Sequence, residues 1–401
     1  MRRVLFKRVL VCLVVAAVSI VRSAAQLEAS DPLSVEDAER LLIREGFANI
    51  RTLEEESRLV FTLECDSYKL PSEGFAVARK IVERIAGSSE MELKIIGLDR
   101  GIPQVTMTRV KGAESWHTTR KLDSGWDEVK KLKPKESLTG KVDIVVYPQV
   151  SLMNLIINQV YQSLWQLSPA LEVSLWKGMK FSYQVKIPVF NDGYGDLESK
   201  VHPGIVSLSQ SFRDPWKLNL QGKVTIGAFA GNRYGAALEA SWYLPGDQVW
   251  FDTQLGLISN YYWEGFYFKF SRDFYFRWNA AVNCYCPPLH TQFTLRAQQF
   301  LIGDIGLKYE MIRHFSRCSV GLYAEKSKGV DMNVGFRFQI SLPPYRHARR
   351  GYIPRITVSD QMGMSYNANN EKFYYREWRT EASDNIMSRN YFNPFHLDGD
   401  K

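Results

Sequence analysis

Beyond its first 25 residues the chain has no apolar run long enough to cross a membrane as a helix. It contains no Gly-x-Ser-x-Gly and no His-Glu-x-x-His, so the nucleophile elbow of serine hydrolases and the zinc-protease helix are both missing. Cysteine is scarce, with five residues in 401. Cys284-x-Cys286 lacks a second pair at zinc-site spacing, which argues against a bound metal, and no cofactor signature stands elsewhere. A large excess of one charge is lacking too. Five of the 51 basic residues fall within positions 1–25 and none of the 43 acidic ones does, which leaves 46 against 43 in the remainder. That near balance gives no basic footprint for nucleic acid.

What is present begins with a targeting pattern. Arg2, Arg3, Lys7 and Arg8 precede the apolar run Val9 to Val21, and Ser23-Ala24-Ala25 supplies small residues for cleavage. This is a secretory signal over 1–25, too short for a membrane span. Cys12 lies inside the apolar run without a lipobox, so no lipid anchor is expected.

From 141 to 343 the sequence reads as strand after strand. Met179, Phe181, Tyr183, Val185, Ile187 and Val189 alternate with Lys180, Ser182, Gln184, Lys186 and Pro188. Trp216–Ala228 and Met332–Leu342 repeat the pattern. Side chains at a period of two point to opposite faces, so each segment has one apolar and one polar surface. A soluble antiparallel sandwich alternates in the same way. Segments of about ten residues fit strands that cross an outer membrane, with lipid on one side and a polar lumen on the other. Trp216, Trp242, Phe251, Phe274, Phe276 and Trp278 stand on the outward face or near strand ends, as interfacial girdles do. Asn333-x-Gly335-x-x-Phe338-x-Ile340 has the polar, glycine, hydrophobic, hydrophobic spacing of a last strand as barrel-assembly machinery reads it. The expected fold is therefore mostly β. It is a transmembrane antiparallel β-barrel of about 12 strands in the outer membrane of a Gram-negative cell, in contact with its lipid.

The alternation turns Lys180, Lys186, Lys223, Tyr243, Tyr275, Arg277, Arg296, Lys308, Glu310, Tyr323 and Arg337 toward the lumen. Basic groups and tyrosine faces there would attract an acidic glycan. The same residues would equally fill a closed lumen with paired charges. Tight turns at Lys177-Gly178, Asp214-Pro215, Pro245-Gly246-Asp247, Arg272-Asp273 and Gly303-Asp304 are expected on the periplasmic side. Longer loops at 191–203, 230–233 and 286–290 are expected outside. Cys284, Cys286 and Cys318 fall at one end of the strands, where a disulfide and free thiols both fit.

Residues 26–110 precede the barrel as a small α/β periplasmic domain. Ser34-x-x-Asp37 caps a helix that ends at Gly46, and a second helix runs from Gly74 to Ile85. Strands near 48–52, 58–64, 92–96 and 104–109 complete the order α-β-β-α-β-β. Lysine-rich residues 111–140 read as a linker. The tail, 344–401, breaks the alternation and carries aromatic clusters such as Tyr374-Tyr375-Arg376-Glu377-Trp378; both a disordered tail and one folded on the barrel or a partner fit.

Short motifs recur in a familiar order. They are Gly46-Phe47-Ala48-Asn49-Ile50, Phe61-x-x-Glu64, Ile102-Pro103, Trp116, Leu167-Ser168-Pro169 and Glu172 to Met179. Gly204 to Gln210, Asn232-Arg233-Tyr234-Gly235 and Tyr366-Asn367-Ala368-x-Asn370-Glu371 follow. In these the chain resembles the YjbH-type family of outer-membrane proteins of exopolysaccharide and capsule biosynthesis, over nearly all its length after the signal. The resemblance implies a role in secreting or assembling surface polysaccharide with periplasmic export partners, and it brings no catalytic residues. Two other classes remain as alternatives. One is an envelope glycan- or lipid-modifying enzyme, for which His202 and His314 offer no acid–base constellation. The other is a general porin.

Overall fold

The computed structural model describes residues 32–153, 162–329, 331–367, 378–382 and 391–398. The signal at 1–25 and the cluster 374–377 lie outside them. The chain is mostly β, and no helix among the described residues is long and apolar enough to cross a membrane.

The N-terminal unit follows the expected order: α1 (Val35–Glu45), β1 (Phe47–Glu54), β2 (Arg58–Cys65), α2 (Pro71–Glu83), β3 (Glu92–Asp99) and β4 (Ile102–Arg109). Ser34 caps α1, its Oγ accepting from Asp37 N at 3.1 Å. Gly46 closes the helix with φ at 89°, and a Cβ there would stand 1.9 Å from Ser67 Oγ. Both conformation and space therefore require glycine. The sheet order begins β1-β2-β3-β4, with β2 and β3 parallel through the α2 crossover. Leu42, Phe61, Phe75, Ile81, Ile95 and Met107 form the core beneath the helices.

The segment read as a linker departs from expectation. It supplies β5 (His117–Thr119) as the sheet's edge strand and α3 (Ser124–Val129) across its other face. Trp126 and Val129 bury against Val60, Ile96 and Leu98. Two apolar side chains among many lysines were enough for that second, smaller core.

The second sheet has fifteen strands. Twelve long ones lie within 141–343, in line with the count from sequence. They are β6 (Val142–Met153), β7 (Gln162–Trp176), β8 (Met179–Asn191), β9 (His202–Arg213), β10 (Leu220–Phe229), β11 (Arg233–Tyr243) and β12 (Val249–Glu264). After the four-residue β13 (Tyr267–Phe270), which pairs only with the end of β12, come β14 (Tyr275–Cys286), β15 (Thr291–Gln299), β16 (Ile305–His314), β17 (Cys318–Ser327) and β18 (Asn333–Ser341). Each long strand is antiparallel to the next.

The sheet then continues beyond 343. β19 (Arg355–Val358) pairs in parallel with β6, and β20 (Gln361–Asn367) pairs antiparallel with β18. Thus one short stretch of chain has ladder partners at both ends of the strand order. The motif Asn333, Gly335, Phe338 and Ile340 consequently sits on β18, which β20 covers, and not on the sheet's last strand. Two prolines, Pro343 and Pro344, interrupt the alternation there and hide the strands that follow. Gly335 has a packing reason: Tyr323 lies opposite it in register, and a Cβ would meet the tyrosine ring 2.5 Å away.

Burial along these strands is inverted relative to a water-soluble protein. In β16, Ile305, Leu307, Tyr309, Met311 and Arg313 are exposed while Gly306, Lys308, Glu310, Ile312 and His314 are buried. Leu307 is 55% exposed, yet the Lys308 and Glu310 side chains are only 4% exposed. β17 and β18 repeat this, with Val320, Leu322, Val334, Phe336 and Ile340 outward.

Candidate functional site

Two cavities, of about 520 and 300 Å³, lie against the polar face of the large sheet and are lined also by residues of the α/β unit and the tail. Charges on this face come in pairs. Glu310 meets Arg337 and stands 3.8 Å from Arg296 and 4.0 Å from Lys308, which reaches Glu325 at 3.8 Å. Tyr323 lies beneath both cations, its ring centre 4.9 Å from Lys308 Nζ and 5.4 Å from the Arg337 guanidinium. Lys180 pairs with Glu172 at 2.5 Å, and Tyr147 donates to the same carboxylate. Lys223 binds Glu239 at 2.8 Å and Glu381 at 2.7 Å. A buried ion without its partner is costly, so these pairings are conditions of burial and not decoration.

Of the residues expected inside, Lys180, Lys223, Arg296, Lys308, Glu310, Tyr323 and Arg337 share this inner face. Lys186 is half-buried and opposite His202 in register. Tyr243 lies near the end that adjoins the α/β unit, with the guanidinium of Arg120 4.3 Å from its ring centre. Arg277 donates to the carbonyl of Leu301 at 3.0 Å at the other end. Tyr275 differs: it has the inward parity, but as the first residue of β14 it is exposed.

The α/β unit caps one end of the sheet. Gly178 N donates to Arg100 O at 2.8 Å, and Asp247 accepts from Thr119 Oγ1 and Arg120 N at 2.8 and 3.0 Å. The turns at 177–178, 214–215 and 245–247 therefore lie at this end. The turns at 272–273 and 303–304 lie at the far end, because β14 and β15 alternate in direction and Cys284, Cys286 and Thr291 already occupy the domain end. The connection 286–290 is at the domain end too, against expectation. Loop length alone did not reveal the side.

Two contacts knit the cap to the sheet's junction. Asp66, after β2, and Asp143, on β6, share Arg349 and Arg355. Arg349 reaches Asp66 at 3.1 Å and Asp143 at 2.7 Å, and Arg355 reaches them at 3.2 and 2.8 Å. Lys69 Nζ donates to the carbonyls of Leu342 and Val358, both at 2.9 Å. Burial pulls the Lys69 ammonium below the ordinary lysine range. Nearby, the buried Glu64 carboxylate accepts from Asn49 Nδ2 at 2.6 Å and from the amides of Arg100 and Gly101 at 2.6 and 2.9 Å. Burial, reinforced by Asp99, nevertheless pushes Glu64 up to about 7.

The tail enters the site, which the sequence left open. Trp378 stacks on Phe229 with ring centres 5.6 Å apart, and Ala230 N donates to Arg379 O at 2.9 Å. Thr380 Oγ1 donates to Glu239 at 2.5 Å, Glu381 meets Lys223, and Ala382 O accepts from Gln149 Nε2 at 2.6 Å. Five residues thus reach from β10–β12 to β6. Farther on, α4 (Pro394–Leu397) sits between the two units. Arg79 donates to Leu397 O at 2.8 Å, and Phe395 stacks on Tyr285 at 5.6 Å. His396 lies among Tyr285, His290 and His314, and burial holds it down to about 4.

His314 is fixed by Ser319 at 2.9 Å and Gln292 at 3.4 Å, and His202 by the carbonyl of Lys200 at 2.9 Å. Cys65, Cys284, Cys286 and Cys318 are free thiols. Among the described residues, no group of three His, Cys, Asp or Glu is placed to hold a metal ion. Neither a protein-family model nor a curated protein matches the chain.

Proposed function

We propose that this chain is an outer-membrane β-barrel with a periplasmic α/β domain, and that it assists the secretion or assembly of surface polysaccharide. The observation that carries the membrane reading is the inverted burial. Exposing Leu307, Leu322 and Phe336 to water while burying Lys308 and Glu310 is unfavourable, and lipid around the sheet removes the conflict. Strands β6–β12 and β14–β18 are 9 to 16 residues long, enough for a tilted crossing. The stretch Arg355–Asn367, paired to β6 on one side and β18 on the other, is the natural closing strand. Closure would abolish both sheet edges.

The polysaccharide role rests on the motif resemblance. The paired interior charges support an anchored scaffold more than an electrostatic conduit, since Lys180, Lys223, Arg296, Lys308 and Arg337 already face carboxylates. The α/β domain then becomes the surface for export partners. Fractionation and gel migration with and without heating test the barrel; a soluble periplasmic protein would refute it. Deletion of residues 32–110 with surface polysaccharide as the readout tests the role. Normal polysaccharide in the deletion strain would refute docking through the domain.

A further inference from the structure

We propose that residues 378–382 are an internal strap that keeps the barrel's passage shut, and that the passage conducts only when the strap is withdrawn. This rests on the barrel reading above. Thr380 and Glu381 line both interior cavities, together with Lys223 and the hairpin-tip residue Arg100 of the cap. The strap therefore stands where the two spaces meet.

Its anchors differ in kind. Trp378 is held by shape: Gly256 on β12 leaves the room it fills, and a Cβ there would stand 2.5 Å from the indole. The backbone of Arg379 continues the strand edge at Ala230. Glu381 is held mainly by Lys223, with its side chain half-exposed to the interior, while Thr380 Oγ1 donates to Glu239 and Ala382 O accepts from Gln149 Nε2. An apolar wedge, one ion pair and two single side-chain hydrogen bonds can be released without unfolding the wall around them, because Lys223 keeps Glu239 when Glu381 leaves. The tail's second anchor, α4, lies against the cap.

The test uses the full chain carrying Trp378→Ala with Glu381→Gln, and a second variant, Gly256→Val, which evicts the indole from the opposite side. Ion conductance in planar bilayers should rise at least about tenfold over the wild type in both. Trypsin acting after Arg379 in detergent supplies a membrane-free measure: slow cleavage in the wild type, fast in the variants. Equal conductance in wild-type and heat-modifiable variants overturns the strap. Fast cleavage of the wild type at Arg379 does the same. Failure of every form to insert or to show heat-modifiable migration instead overturns the barrel.

Discussion

Lys69 lies 2.9 Å from the carbonyl oxygen of Val358, so an ammonium of the α/β unit terminates the strand that joins the two ends of the large sheet. Removing it should leave the Leu342 and Val358 carbonyls without this donor in a largely buried place. Lys69→Met is expected to cost about 1–3 kcal/mol, the range for an unsatisfied buried polar group. The urea midpoint reads this directly. An unchanged midpoint would mean that water replaces the lysine without loss.

The clamp of Asp66 and Asp143 by two arginines is also shielded from solvent, with side chains 6–21% accessible. Arg355→Ala leaves two carboxylates on one remaining guanidinium and should destabilise by about 3 kcal/mol. Arg355→Lys should recover little, because a lysine cannot span both acids as a planar fork does. The temperature at which the folded gel band disappears measures both. Equal temperatures for the alanine and lysine variants and the wild type would remove the clamp from the account of docking.

Glu64 sets a pH dependence for the cap. Its folded value, about 7, lies above the ordinary 4.5, so the folded state binds more protons between these values. Stability from this group is full below about 4.5 and is lost as pH rises through 7. The loss amounts to about 3 kcal/mol. Amide hydrogen exchange in β2–β4, corrected for intrinsic rate, should slow from pH 8 to pH 5.5. Glu64→Gln should flatten that profile. Protection that grows toward pH 8 would contradict the sign.

Leu322, 53% exposed on β17, distinguishes lipid from water. At a lipid-facing midplane position, Leu322→Arg should cost about 2–4 kcal/mol and lower the inserted fraction. On a water-facing surface the same change stays within about 0.5 kcal/mol. Insertion or folding equal to wild type would place the exposed face in water.

Much of this was legible in the sequence because a strand with two environments writes itself at period two. The α/β order, the twelve strands and most inward residues follow from that rule and from the caps at Ser34 and Gly46. The partners were harder. Glu172, Glu239 and Glu325 have the same inward parity as their lysines, so the charge balance was available from parity, but not the pairing. β19 and β20 were hidden by Pro343-Pro344 and by their short lengths. The strap had no periodic signal, since its contacts are single side chains reaching across space. The side on which a turn lies depends on strand direction counted from a fixed end, which loop length does not supply.

The pairing of β19 with β6 also sets an order of assembly. Its ion pair between Arg355 and Asp143 joins positions 212 apart, so β6 has no permanent neighbour on that side until almost the whole chain has been made. Such long-range closure comes late and leaves an edge open while it waits. On the proposed barrel reading, a product ending near Leu342 would retain all twelve long strands and yet be an unfinished ring with two adhesive borders. On that reading the residues after 342 thus act as a certificate of completion: only a chain synthesised past 367 could seal its own seam.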